Sequence, residues 1–577
     1  MARGVERYGL PEEPNHPNPE SRVLFEAVAF EPAHKSRMLG SGAWNDDTVT
    51  RWLARCAGET PDKRAFVDDR SSLSYADAHS QAERFAGALL ELGLRKGDVV
   101  AVQLPNIVEF VVAYLGITMM GGVLTTLHMP YRRNEAEPLL RHAGVRAVIC
   151  GPAIGDYVPA ETFLALKLKL PLLKHVIVVG GTHPQTHSFS ELLASGKSGT
   201  VSNPPVAADP AFICFSSGTS SSPKAVVHNY HGMLANNRTC APLYGLTADD
   251  VIVSGPPFTH GFGICCINLT LHSGATQALF PHFRPDIYCR SIERFRPTVL
   301  FTAPAHVAAC WKAGLLEKSD FSSIRIAGIS GAPCTPEVAA AMQRAVKNGK
   351  VLILWGMTEL FMGISGRPDD SEIHRFNTIG LPTPGMEVRI VGDDGVVMPA
   401  GEGGEIEIRG PSVVARYLEN EEATREAFGS DGWFRTGDMG VKDQAGYVRM
   451  TSRRKEIINR GGVKFNPVDV EAILDNHEKI LQSAIVPMPD PVLGERACAF
   501  VVLRAPETLT LDEVTRYLAD KGVAKLKWPE RLEIVAEMPM TPTRKIIKGL
   551  LKASPRWARN NAENAIWRMS KAYGPSA

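Results

Sequence analysis

The stretch Phe215–His228, FSSGTSSSPKAVVH, runs serine, glycine and threonine together and then ends on Pro223 and Lys224. Apolar FIC (Phe212–Cys214) precedes it and AVV (Ala225–Val227) lies within its far end, so the small residues sit between two strand-like runs. Two readings stand. Serine and glycine dominate flexible linkers. A loop held between strands and ending in a cation is also an anion cradle, whose N–H groups and hydroxyls wrap phosphate oxygens while the lysine neutralises charge. It is not a Walker loop, because Gly218 is followed by TSSSPK with no second glycine.

Outward from that stretch, helix-like and strand-like patterns alternate. Ala76–Leu94 carries apolar residues at helical spacing and is closed by Lys96 and Gly97. Asp98–Leu104 reads as a short buried strand, and similar strands recur at Ala147–Cys150, His175–Gly180, Val251–Gly255, Thr298–Ala303 and Arg325–Ser330. This alternation predicts an α/β fold with largely parallel sheets. From Val388 the texture changes to short strands with glycine turns (VRIVGDDG, GEIEIRG, YVRMTSRR), a β-rich subdomain closing the large domain. After Arg453, strand, helix, strand, strand, helix and strand patterns predict an α+β domain of about a hundred residues. The expected division is a large N-terminal domain over 1–451, with 1–45 as an extension, and a small C-terminal domain over 452–577.

With 577 residues the chain exceeds what one core usually supports. A net charge of +1 gives no electrostatic reason to expect nucleic acid. The ten cysteines are scattered without a CxxC pair, which suits a reducing, cytoplasmic setting and argues against a disulfide framework or zinc site. The polar, proline-rich start lacks the apolar core of a signal peptide. The most membrane-like segment, Phe110–Met129, is divided by Gly121 and Gly122. It reads as a buried helix, a glycine stop and a buried strand, so no integral span is expected.

Four further clusters bear on the opening loop. LWGMTEL (Leu354–Leu360) offers a tight turn at Gly356, a hydroxyl at Thr358 and a carboxylate at Glu359. Glu359 is of the type that holds Mg²⁺ together with phosphate oxygens, and the alternative is a loop-to-helix start capped by Thr358. In GWFRTGDMG (Gly432–Gly440), Asp438 follows a Thr-Gly turn, either to accept ribose hydroxyls or as an ordinary turn residue. SRRKEIINRGGVKFNPVDVE (Ser452–Glu471) leads a basic strand into Gly461 and Gly462, or is a solvated charge run. PMTPTRKIIKGLLK (Pro539–Lys552) presents Lys545 ahead of a helix.

In this order the five blocks resemble the signature motifs of the adenylate-forming superfamily, which spans acyl- and aryl-CoA ligases, luciferases and carrier-loading adenylation domains. SGAPCTPE (Ser330–Glu337) and NTIGLPTPGMEVRIV (Asn377–Val391) match two more of its segments, so the likeness runs from Trp52 to Leu551. The resemblance implies an enzyme that joins a carboxylic acid to AMP and then to the thiol of coenzyme A, or of a carrier protein, using ATP and Mg²⁺; the third reading is a non-catalytic acyl- or nucleotide-binding homologue, against which stand Thr358, Glu359, Asp438, Arg453 and Lys545 together. It implies that Ser216, Ser217, Gly218, Thr219 and Lys224 hold the β- and γ-phosphates. Gly331, Ala332, Pro333, Trp355 and Gly356 would line the adenine and carboxylate region, with Thr358 on the α-phosphate and Glu359 on the metal. Asp438 and Arg453 would hold the ribose, and Lys545 would bridge carboxylate and α-phosphate.

The resemblance further implies a mobile C-terminal domain hinged at Lys455, with Gly461 and Gly462 facing the CoA tunnel. PPFTHGFGICC (Pro256–Cys266) matches the acyl-pocket segment, so His260, Gly261, Phe262, Gly331 and Met357 are expected around an uncharged aliphatic, alicyclic or aryl tail. His260 as a plain core histidine is the alternative. A homodimer is compatible with the family pattern. The chain departs from that pattern at Ser221, Ala225, Trp355, Ser452 and Arg544, none of which removes a group the chemistry needs.

Overall fold

A computed structural model describes residues 21–153, 157–199, 201–216, 223–429, 431–460, 463–490, 493–504, 506–541 and 545–552. Of the expected site, Ser217, Gly218, Thr219, Gly461 and Gly462 lie outside these residues, as do Ser221 and Arg544. The fold is α/β, as expected. A seven-stranded sheet runs, edge to edge, through His187–Ser188, His175–Val178, Val145–Cys150, Val99–Gln103, Val123–Thr126, Pro210–Ser216 and Lys224–Asn229. All its neighbours are parallel except the last two strands, which form an antiparallel hairpin. A nine-stranded sheet has a parallel centre, from Arg64–Val67 across to Lys350–Met357, and antiparallel edges.

The parallel strands are buried on both faces, which is why they read as unbroken apolar runs rather than alternating ones. Between the sheets lies the largest core, built on the helices Tyr75–Glu91, Val108–Met119 and Gly261–Ser273. Every residue of Val108–Met119 except Glu109 is buried. Each large apolar side chain there contributes about 1.5–3 kcal/mol relative to exposure. Gly121, at φ 78, ends that helix and turns the chain into the strand Val123–Thr126. The segment read as helix, stop and strand is therefore that, and among the described residues no helix is long and apolar enough to cross a membrane.

The β-rich region is a four-stranded antiparallel sheet of Glu387–Val391, Gly403–Arg409, Phe434–Lys442 and Val448–Arg453. A five-stranded sheet follows, centred on Ile480–Asp490 and Gly494–Leu503 and flanked by the helices Pro467–Leu474 and Leu511–Asp520. Near the other end of the chain, the Trp44 indole lies flat on His231 at 4.9 Å, and its Nε1 donates to the Pro411 carbonyl at 2.8 Å. Residues 21–45 thereby clasp the large body.

Candidate active site

Two hairpins and the four-stranded sheet meet at one place. In the first hairpin Ser216 stands opposite Lys224, so both ends of the serine-rich run are fixed by strand pairing. In the second, Gly356 pairs with Met362 and Met357 with Phe361, leaving Thr358, Glu359 and Leu360 as the turn. This replaces the loop-to-helix start that the sequence also allowed, because the apolar run Phe361–Ser365 pairs back onto the preceding strand. Two backbone features shape the turn. A Cβ on Gly356 would sit 1.9 Å from the Phe361 carbonyl oxygen, so only glycine fits. Phe361 adopts φ 58, a left-handed conformation that costs a non-glycine residue about 1–2 kcal/mol. Its ring packs 4.4 Å from that of His228, which helps hold it there.

The turn is secured from three sides. His228 bonds the Thr358 carbonyl at 2.7 Å, the Val414 N–H donates to the Glu359 carbonyl at 3.0 Å, and the Tyr417 hydroxyl donates to Glu359 Oε1 at 2.8 Å. A carbonyl only accepts, so His228 carries its proton on Nε2, and burial holds the ring's pKa down at about 4. Glu359 is 4% exposed. Burial raises its pKa above the usual carboxylate range, against the opposing pull of the Tyr417 hydrogen bond, Lys224 and Arg453. The Lys224 ammonium rests 4.5 Å above the Tyr417 ring centroid.

Asp438 lies within the strand Phe434–Lys442, directly across from Arg453, rather than in a β-turn. Arg453 Nε pairs with Asp438 Oδ1 at 3.2 Å, and Trp355 Nε1 donates to Oδ2 at 2.9 Å. Trp355, one of the departures from the family pattern, thus uses its indole N–H to orient the expected ribose carboxylate. Lys545, from the C-terminal region, lies close enough for Asp438 and Arg453 to act on its charge. Its carbonyl accepts from Thr541 N–H at 2.7 Å and its N–H donates to Thr541 Oγ1 at 3.0 Å, tying these two residues together ahead of the helix Lys548–Lys552. Burial, then the charge of Arg453, brings the Lys545 ammonium down to about 8, while Asp438 and Glu456 pull it upward.

On the acyl side, His260 caps the helix Gly261–Ser273, with Nδ1 accepting from Phe262 N–H at 3.2 Å. Burial and the nearby Lys545 charge lower its pKa to about 4. Phe262 packs edge-on to Phe301 at 5.6 Å, and Gly261 faces the Phe361 ring. Met357 packs with Trp355, Leu360 and Ile364 in the core under the four-stranded sheet. Gly331 and Pro333 are exposed and Ala332 half-buried, just beyond the strand Ile326–Ile329. Lys455 belongs to the one-turn 3₁₀ segment Arg454–Glu456.

Three residues that the motifs did not single out also belong here. Tyr417 and His228 hold the Glu359 turn. His128, stacked 6.4 Å from His260, shares a 2.9 Å hydrogen bond with Thr259. The only signal for His128 was a polar residue ending an apolar run, which is too common to single out.

Residues 53–418 match the model of the AMP-binding enzymes, and residues 469–545 match that of the AMP-binding enzyme C-terminal domain. The chain belongs to the adenylate-forming, AMP-binding enzyme family. This AMP-binding enzyme is 31% identical over 550 residues to the medium-chain fatty-acid–CoA ligase of Escherichia coli, covering 93% of this chain and 97% of that one. It is 32% identical over 534 residues to the salicyl-AMP ligase / salicyl-S-ArCP synthetase of Mycobacterium tuberculosis, covering 90% and 93%. Among solved structures, ATP-bound MatB from Rhodopseudomonas palustris superposes with a TM-score of 0.79 at 27% identity, covering 88% of this chain and 99% of that one.

Proposed function

We propose that this AMP-binding enzyme is an acid–CoA ligase that activates an uncharged, apolar carboxylic acid through an acyl-AMP intermediate. The observation that carries this reading is that Lys545 lies within electrostatic reach of the Asp438–Arg453 pair, whose charges act on its ammonium, and of His260, on which its own charge acts. A lysine there stands between the expected nucleotide side, marked by Asp438, and the expected acyl side, marked by His260. In the first half-reaction a carboxylate oxygen attacks the α-phosphorus and pyrophosphate leaves. Two anions must approach, so a cation fixed between them lowers the barrier more than it improves binding. In the second half-reaction a thiolate attacks the acyl carbon and AMP leaves with the electron pair of the broken C–O bond.

Ser216 and Lys224 would act on the phosphates, Thr358 on the α-phosphate, and Asp438 with Arg453 on the ribose. Glu359 fits a magnesium ion shared with phosphate oxygens, since its buried carboxylate gives one oxygen to Tyr417 and retains acceptor capacity. When bound, the ion would supply charge neutralisation on the phosphates. His260, Gly261 and Phe262 would face the acyl tail. The chain would divide at 451/452, with the small domain turning about Lys455 so that Lys545 withdraws before the thiol arrives.

Release of pyrophosphate from ATP across a panel of carboxylic acids, with and without CoA, tests this reading. CoA-dependent turnover is expected, and no release with any acid would overturn it. Lys545→Ala should slow adenylation by roughly a hundredfold or more while leaving the acid's KM within a few-fold. A second reading, transfer to a carrier-protein thiol, is favoured by the likeness to the M. tuberculosis salicyl-AMP ligase. It predicts ATP–pyrophosphate exchange without CoA turnover.

A further inference from the structure

Tyr417 lies far in sequence from both groups it touches. Its hydroxyl donates to Glu359 Oε1 at 2.8 Å, and its ring carries the Lys224 ammonium at 4.5 Å. The Lys224 charge acts on Glu359, yet among the described residues no ion pair within 4 Å joins the two. The tyrosine stands between them, bonding the anion at its edge and the cation on its face. Two opposite charges in a buried site would otherwise draw together, and each would then be neutralised before any ligand arrived.

The backbone holds Tyr417 in that place. Tyr417 forms a bridge to Val226, the second residue after Lys224, and Leu418 N–H donates to the Ala225 carbonyl at 2.9 Å. Tyr417 N–H donates to Thr424 Oγ1 at 3.1 Å, and Phe428 packs on the ring edge at 5.6 Å. Three residues upstream, Val414 N–H holds the Glu359 carbonyl. One short segment is thereby pinned both to the strand that begins with Lys224 and to the turn that carries Glu359.

We propose that Tyr417 is a positioning residue that keeps Lys224 and Glu359 apart and separately available, the lysine to phosphate oxygens and the glutamate to a divalent cation. This rests on the nucleotide and metal reading of the site given above. A ring face attracts an ammonium by about 0.5–2 kcal/mol, weak enough for a polyphosphate to take the cation away. The hydroxyl, by contrast, fixes which carboxylate oxygen remains for the metal.

Tyr417→Phe removes the hydroxyl and keeps the ring, and Tyr417→Leu removes both. Binding of ATP without metal, by calorimetry, and of Mn²⁺ to the ATP complex, by electron paramagnetic resonance, separates the two roles without any turnover. Tyr417→Phe is expected to bind metal-free ATP as the native protein does but Mn²⁺ roughly tenfold more weakly, the effect of losing one charge-assisted hydrogen bond. Tyr417→Leu is expected to weaken both, because Lys224 can then fall onto Glu359. In a Glu359→Gln background Tyr417→Phe should add little to the Mn²⁺ loss, as for two residues acting through one contact.

Native-like Mn²⁺ binding by Tyr417→Phe, or full additivity with Glu359→Gln, would overturn the proposal and leave the nucleotide reading intact. If the native protein binds no Mn²⁺·ATP, both fall together. Should Tyr417→Leu fail to fold, the Tyr417→Phe and double-variant measurements decide the matter alone.

Discussion

Lys545 brings a titration into the neutral range. Its folded-state pKa is lowered to about 8 by burial and by Arg453, so the free enzyme loses this cation as pH rises through 8. The kcat/KM for adenylation should therefore fall about tenfold per pH unit above that point. Lys545→Arg, though slower, should lose that limb, because guanidinium stays charged. His260, at about 4, and His128, at about 3, remain neutral above pH 5 and add no acidic limb of their own. A native profile flat from pH 7 to 10 would remove the link between that amine and the rate. Lys545, Glu359, Asp438 and Arg453 stood out as candidates because each sits in a block that resembles a motif of the adenylate-forming superfamily, while each block alone read equally as a turn, a cap or a surface charge. Tyr417 and His228 did not, because their roles exist only once distant segments close on the Glu359 turn.

At the level of elements, the hairpin Lys350–Met357/Phe361–Ser365 depends on Gly356. A methyl there meets backbone, which cannot rotate away, so Gly356→Ala should destabilise the protein by roughly 1–3 kcal/mol in urea unfolding. Gly58 is the internal control. It lies in the helix Val49–Glu59 with no atom within 4 Å of an added Cβ, and Gly58→Ala should stabilise by about 0.5–1 kcal/mol. Equal stability of Gly356→Ala and native protein would contradict the hairpin. The alternating strands and amphipathic helices were readable from periodicity. The hairpin was not, since an apolar run after Gly-Met-Thr-Glu suits a helix start as well as a returning strand. Nor was the register that sets Asp438 across from Arg453, because pairing partners leave no mark within either strand.

For the molecule as a whole, the attachment of the C-terminal region matters most. Lys312, on the helix Pro304–Lys312, donates to the Leu481 carbonyl at 3.2 Å; burial and then the Arg504 charge lower its pKa, against the weaker upward pull of Asp475. This contact joins the helix Pro304–Lys312 to the strand Ile480–Asp490 of the small sheet. Lys312→Ala should slow pyrophosphate release roughly threefold to tenfold and leave thioester formation from preformed acyl-AMP unchanged. Equal losses in both half-reactions would assign Lys312 to general stability instead. Which faces of the two regions meet could not be read from sequence, since residues such as Lys312 and Leu481 lie far apart in the chain and neither marks its partner. At the opposite end of the chain, the Trp44 clasp has a practical side. The family match begins at residue 53, an inviting place to trim the chain for crystallisation. A cut there would strip the indole from His231, leave the Pro411 carbonyl without its donor and bare Ala235, turning a well-behaved sample into a sticky one.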